Sequence, residues 1–212
     1  MSGSFLRRFG INLSRDQARK IGIFLDELEE WNRKINLTGI SSRQKIVNEL
    51  LLDSIIPTPF LPDQETLLDI GSGAGFPAIP IKICKPHLRC YLVEPNSKKI
   101  SFLKQVIRLA QLREIEIIEG RIGEQKEVLY SESYDVITSR GMAPLPRLLT
   151  LSAPRLRPGG RIVVFLGGQS ESSIRESADI IGKHGLFLFK RIPYLLPGKG
   201  SEREILILEK HG

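Results

Sequence analysis

The pattern of the chain predicts an α/β fold: a mostly parallel sheet with an antiparallel edge hairpin, preceded by a helical extension. Three observations carry this. From Leu67 onward, short apolar runs alternate with amphipathic helical stretches, as in a sheet covered on both faces. A glycine-rich turn, Asp69-Ile70-Gly71-Ser72-Gly73-Ala74-Gly75, joins the first apolar run to the first helix. The chain closes on two apolar runs with no helix between them, and such neighbours pair antiparallel.

The elements follow in order. Over residues 14–31, Ile21, Phe24, Leu25, Leu28 and Trp31 recur at spacings of three and four, one face of a helix. Ser14 precedes this run as its cap. The segment NLTGISS breaks the pattern, and 45–56 is a second apolar helix stopped by Pro57 and Pro59. Residues 1–60 therefore read as a helical extension and 61–212 as the α/β domain. Arg7 and Arg8 are expected on a flexible arm.

Within the α/β domain, a helix opens near Pro77, which is tolerated early because its missing N–H has no partner there. Strands are expected at 90–94, 115–120, 134–140 and, after the glycine turn of RPGG, up to 167. Helices are expected at 97–112, 144–156 and 172–184. GLFLFKRIPYL and EILILEK form the closing hairpin.

Composition narrows the function classes. The 212 residues carry 31 Lys+Arg and 24 Asp+Glu, a formal charge of +7, with 41% hydrophobic and 26% charged residues. This is the balance of a globular protein. Two cysteines, Cys84 and Cys90, are too few for a disulfide scaffold and read as small buried hydrophobes. His87, His184 and His211 are scattered, so no metal site is expected. No apolar stretch approaches a bilayer span and MSGSFLRRFG lacks an apolar signal core. A cytoplasmic protein is expected. Residues 135–212 hold twelve Lys/Arg against seven Asp/Glu, a bias that suits anionic partners.

The glycine turn points to a nucleoside ligand. Glycines permit a sharp turn and close approach of a ligand to the backbone. Glu94 ends the next strand, where a carboxylate accepts from ribose hydroxyls. The dinucleotide fingerprint needs a third glycine where this chain has Phe76. Acidic Asp69 before the first glycine suits a cationic amino-acid moiety better than a pyrophosphate. S-adenosylmethionine is therefore the expected cofactor, and a nicotinamide dehydrogenase is disfavoured. The chain has no Asn/Asp-Pro-Pro-aromatic motif and no Pro-Cys pair, which argues against exocyclic amines and thiolate-assisted pyrimidine carbons as acceptors. An acceptor that needs no deprotonation fits best, and guanine N7 is one.

The segments DIGSGAGFPAIPIKI, LVEPNSKKISFLKQV, DVITSRGMAPL and WNRKINLT closely resemble the bacterial small-subunit ribosomal RNA methyltransferase G family, also called glucose-inhibited division protein B. The resemblance runs from about Trp31 to Lys210. It implies a Rossmann-like S-adenosylmethionine-dependent methyltransferase that modifies N7 of one guanine in 16S ribosomal RNA. It places cofactor contacts on Gly71 and Phe76, and on Ile122, Gly123 and Arg140, with Glu94 on the ribose. Asp69, Gly73 and Gly75 complete the cofactor loop. Arg140 is expected to position substrate as well, by stacking on a purine or pairing with a phosphate. Lys98, Lys99, Lys199 and Arg203 are candidates for the RNA surface. Asn36 and Thr38 are expected to brace the N-terminal helices.

The chain departs from the family at three places. Leu50 stands where the family usually has His, three residues before Asp53. Gly167-Gly168 replaces Lys-Gly, and Gly123 replaces a frequent acid. Two other readings stay open: a methyltransferase acting on a metabolite or protein, and a non-enzymatic RNA-binding assembly factor. A monomer is the default expectation.

Overall fold

The computed structural model describes residues 2–123, 133–167, 170–197 and 202–212. Its strands are β1 (Thr66–Ile70), β2 (Arg89–Glu94), β3 (Ile115–Glu119), β4 (Tyr134–Ser139), β5 (Leu156–Leu166), β6 (Leu186–Leu195) and β7 (Glu202–Lys210). They form one sheet in the order β3-β2-β1-β4-β5-β7-β6. The first five pair in parallel, and β7 runs antiparallel to both β5 and β6.

The closing hairpin forms, with its second strand inserted inside its first. Burial decides this order. Ile205, Leu206, Ile207 and Leu208 are all buried, so β7 is apolar on both faces and belongs inside the sheet. Strand β6 leaves Leu188, Phe189 and Leu195 exposed and carries Lys190, Arg191 and Pro193, residues that suit an edge. The expected glycine turn at 157–160 is absorbed into β5, with a register shift opposite Tyr134 and Val136.

The helices are α1 (Ser2–Arg7), α2 (Arg15–Ile35), α3 (Arg43–Ile46), α4 (Leu52–Ile55), α5 (Ala78–Cys84), α6 (Ser97–Leu109), α7 (Leu145–Ser152), α8 (Ser170–Glu176) and α9 (Ala178–Lys183). Helix α2 starts in a reciprocal cap: Gln17 N–H donates to Ser14 Oγ at 3.1 Å, and Ser14 N–H donates to Gln17 Oε1 at 2.8 Å. It ends at Asn36, which takes the left-handed conformation with φ 46°. A π turn over Val47–Leu51 links α3 to α4. The single helix expected at 172–184 is broken at Ser177 into α8 and α9.

The N-terminal residues are not the flexible arm expected. Helix α1 buries Phe5 and Leu6, and Phe9 stands edge-on to Tyr194 of β6 at 6.5 Å between centroids. Arg7 and Arg8 sit at the end of this docked helix. A six-residue helix carries too little periodicity to be read from sequence.

Two apolar layers flank the sheet. One joins α2, α5 and α6 to β1 and β2, and the other joins α7 to β4, β5 and β7. In the first, Phe24 of α2 lies 5.0 Å from Phe76 and 6.3 Å from Phe102 between centroids. The N-terminal helices and the α/β unit thus share one core.

Candidate functional site

A cavity of about 680 Å³ opens at the carboxyl edge of the parallel strands. This is where ligands bind in open α/β sheets, because the turns after the strands diverge there. A larger hollow of about 1190 Å³ lies at the opposite edge, among Thr66, Arg89, Glu114 and Arg157. It has no glycine-walled cradle and lies away from the strand ends that carry the candidate residues.

The glycine loop forms the cavity floor. Gly71 and Gly73 line it with φ of 76° and 56°. Gly71 N–H and Ser72 N–H both donate to Val93 O at 3.0 Å, which pins the loop to β2. A Cβ on Gly73 would meet nothing nearer than Gly71 O at 3.8 Å. The backbone is therefore open on the side a ligand would approach.

Glu94 is the anchor of this loop. It is buried, and Gly73 N–H donates to its Oε2 at 2.8 Å while Asn96 N–H donates to its Oε1 at 2.9 Å. Asn96 in turn caps α6 by accepting from Lys98 N–H and Lys99 N–H. The carboxylate thus ties the loop to the start of α6. A carboxylate has about four lone-pair positions, so two remain for ribose hydroxyls.

Of the other expected cofactor residues, Phe76, Ile122 and Arg140 line the cavity. Asp69, Gly75 and Gly123 do not, and their expected contacts are revised. Asp69 lies beneath the loop, 1% exposed, and accepts from Thr138 Oγ1 at 2.6 Å. Gly75 faces away: a Cβ there would come 2.7 Å from Ile79 Cγ1 and 3.2 Å from Leu103 Cδ2. Its missing side chain lets the loop close on Ile79 of α5 and Leu103 of α6. Gly123 is exposed with φ 90°, beyond the cavity wall.

Burial pushes the Asp69 carboxyl up to about 6, with the Glu94 charge adding to the rise and the Thr138 and Ser72 hydroxyls opposing it. Its Oδ2 is buried with no hydrogen-bond partner among the described residues. The folded protein therefore keeps a proton on Asp69 at pH values where the unfolded chain has lost it. This contribution to stability is full below about pH 4 and is lost as pH rises through about 6. A shift of about 2 units corresponds to about 3 kcal/mol. Urea unfolding of the ligand-free protein between pH 4 and 7 should show this slope, and Asp69→Asn should remove it. Identical slopes in the two proteins would contradict the assignment.

Arg140 takes up its position by an unexpected route. Its Nη2 lies 2.9 Å from Asp53 Oδ2 and donates to Glu49 O at 2.6 Å, and its Nη1 donates to Leu50 O at 3.2 Å. Its guanidinium carbon stands 6.0 Å from the Phe165 ring centroid. The head is thus held by the π turn and α4, leaving one edge on the cavity. Pairing with a phosphate through the same nitrogen atoms, one of the two roles expected from the sequence, would compete with these bonds, whereas stacking on a purine uses the guanidinium face and leaves them in place. Arg203, expected on the RNA surface, instead turns inward and donates to Asp53 Oδ2 at 3.1 Å. Burial raises the Asp53 carboxyl above its ordinary value, against the pull of both guanidiniums.

The remaining candidates divide. Lys99 lines the cavity mouth and Lys98 is exposed beside it. Lys199 lies outside the described residues. Asn36 and Thr38 brace the turn after α2: Gly39 N–H donates to Asn36 Oδ1 at 3.0 Å, and Thr38 Oγ1 donates to Ile40 O at 3.1 Å. Thr38 also reaches the cavity wall, as does Leu50. Sequence reasoning missed Arg121, Met142, Pro144 and Arg147 on that wall. Three of these follow the end of β4 and the fourth follows β3, so their signal was position after a parallel strand. With Lys99 and Arg140, the arginines give the mouth a positive field against a single lining carboxylate, Glu94.

Comparison with known proteins gives the family and the fold. The family described as GidB, rRNA small subunit methyltransferase G, matches residues 17–192. The Ribosomal RNA small subunit methyltransferase G of Syntrophotalea carbinolica is 37% identical over 206 residues, covering 97% of this chain and 94% of that protein. The protein of the same name from Geobacter sp. (strain M21) is 34% identical, covering 95% and 93%. Among solved structures, a methyltransferase from Pyrococcus furiosus superposes with TM-score 0.61 at 18% identity, covering 92% of this chain and 100% of that one. The M. jannaschii TYW2 structure, a complex with AdoMet, gives TM-score 0.61 at 17% identity, covering 81% and 78%. These two support the Rossmann-like methyltransferase fold, and with the family match over most of its length the chain belongs to the rRNA small subunit methyltransferase G family.

Proposed function

We propose that this protein transfers a methyl group from S-adenosylmethionine to N7 of a guanine in 16S ribosomal RNA, acting as a cytoplasmic monomer. The observation that carries the reading is the glycine-floored cavity at the carboxyl strand edge, anchored by Glu94, in a chain of this family. In the functional division that goes with it, residues 1–60 are a helical extension and 61–212 the methyltransferase unit.

The residues present fit the cofactor. Gly73 leaves the backbone open to a ligand, Gly71 makes room for Met142 of the cavity wall, and Glu94 keeps two lone pairs for a ribose. Ile122 offers an apolar flank for the adenine, and Phe76 closes the floor. Asp69 acts through the loop, as a buried carboxylate below a site for a cationic moiety. When bound, the cofactor supplies an electrophilic methyl on a sulfonium.

What remains for the chain is to orient and to exclude water. Among the described residues, no His, Cys or Tyr lines the cavity, and both Glu94 oxygens already accept from backbone amides. Such a wall suits an acceptor with a lone pair and no proton to remove. Guanine N7 is that atom. In-line attack then depends on proximity and alignment, which can supply several orders of magnitude in rate. Lys99, Arg121 and Arg147 at the mouth suit the phosphates on either side of the target.

The test is incubation with radiolabelled S-adenosylmethionine and unmodified small ribosomal subunits, followed by chemical cleavage at N7-methylguanine. One cleavage site is expected in the wild type, with Arg140→Ala lowering incorporation at least about 100-fold. Incorporation without cleavage would discard N7. Label entering only protein or a small molecule would favour the other methyltransferase reading. Cofactor binding without incorporation into any subunit form would favour the assembly factor.

A further inference from the structure

We propose that Asp53 is a positioning residue for the methyl-transfer site: it holds Arg140 against the π turn, so that the N-terminal helices complete the cavity wall. The proposal rests on the reaction proposed above and assigns a task to a residue outside the glycine loop and outside the cavity lining.

The geometry is specific. Asp53 lies on α4 and is fully buried. Its Oδ2 takes two guanidiniums, Arg140 at 2.9 Å and Arg203 at 3.1 Å, from the ends of β4 and β7. Its Oδ1 is buried with no hydrogen-bond partner among the described residues. A carboxylate in this state is a poor device for stability alone. Burying a charge is costly, and apolar side chains of similar size often serve a fold as well or better. What it does supply is a fixed direction for Arg140.

The π turn supplies the rest of the clamp. Leu52 N–H donates to Val47 O, five residues back, which widens the helix over Val47–Leu51. Within that turn, Glu49 O and Leu50 O accept from the two Nη atoms of Arg140. The planar fork of arginine meets three acceptors at once, which lysine cannot do. Leu50 and Arg140 both line the cavity, so the clamp sets the spacing between α4 and the end of β4. On the same wall stand Thr38 from the extension and Met142 from the loop after β4. In the sheet, β1 stands between β4, which leads into this wall, and β2, which ends at Glu94. Asp53 therefore acts on the alignment of the acceptor base more than on cofactor affinity.

The experiment compares wild type, Asp53→Asn and the double variant Asp53→Asn/Arg203→Met, which removes one of the two guanidiniums left without their countercharge and leaves Arg140 in place. For each we would measure kcat on small subunits, the Kd for S-adenosylhomocysteine, the unfolding midpoint without ligand, and amide hydrogen exchange over 47–54. Wild-type activity on the subunits tests the proposed reaction separately: without it the reaction reading fails, whereas the exchange comparison still tests the clamp. Asp53→Asn is expected to lower kcat about 100-fold, the order produced by a misplacement of about 1 Å. Its Kd for S-adenosylhomocysteine should stay within about threefold, and exchange over 47–54 should rise. The double variant should regain part of the lost unfolding midpoint, because one stranded guanidinium is gone, without regaining kcat. Recovery of kcat in the double variant would reduce Asp53 to charge balance for Arg203 and overturn the proposal. Wild-type kcat and exchange in Asp53→Asn would overturn it too.

Discussion

Replacing Glu94 with Ala is expected to lower cofactor affinity at least about 100-fold, or about 2.7 kcal/mol. Two losses combine. The carboxylate offers its two remaining lone pairs to a ribose, and it also accepts from Gly73 and Asn96 N–H groups at 2.8 and 2.9 Å. Hydrogen bonds to a charged group contribute about 1.5–3 kcal/mol each, and a buried amide left without its acceptor costs about as much again. The glycine loop thus loses its tether at Gly73, while Gly71 and Ser72 stay bonded to Val93 O. Glu94→Gln should fall between the two, because its amide keeps one acceptor oxygen and turns a donor toward a backbone N–H. Titration calorimetry with S-adenosylhomocysteine reads the affinity, and urea unfolding of the ligand-free protein should show a loss of about 2–4 kcal/mol for the Ala variant. Affinity within threefold of wild type would remove Glu94 from the site.

Much of this arrangement is legible in the residues. Gly71, Gly73 and Glu94 can be read as neighbours because each terminates or follows a strand of a parallel sheet, and register carries their ends to one edge. The alternation of strands and helices rests on local periodicity, which survives folding in β1 to β4 and in α2, α5, α6 and α7. What could not be read depends on partners distant in sequence. Arg203 looks like a surface cation in a hairpin, and only the insertion of β7 beside β5 turns it onto Asp53, 150 residues away. Arg140 looks free for substrate, because nothing in SRGMAP announces the π turn that occupies it. Asp69 sits in the motif as if facing a ligand. The twofold alternation of β1 turns it instead toward Thr138 of β4.

Substituting Ala for Phe24 is expected to destabilise the protein by about 3–5 kcal/mol, the usual cost of removing a buried phenyl ring. The site of the damage matters more than its size. Phe24 belongs to α2, in the N-terminal extension, and is fully buried. Its ring packs on Phe76, which lines the cavity, and on Phe102 of α6, the helix that Glu94 and Asn96 start. Trp31, two turns further along α2, stands edge-on to the same Phe102 at 5.9 Å. An extension that folded on its own would lose only its own stability when Phe24 was truncated. A shared core requires one cooperative transition, because neither part can keep its apolar face covered without the other. Urea unfolding of Phe24→Ala should therefore remain a single transition when followed by far-ultraviolet circular dichroism and by Trp31 fluorescence. Both probes should shift by the same amount, and affinity for S-adenosylhomocysteine should weaken as Phe76 loses its support. A split into two transitions, with Trp31 melting first and cofactor affinity intact, would show instead that the extension is a separate unit docked on the sheet.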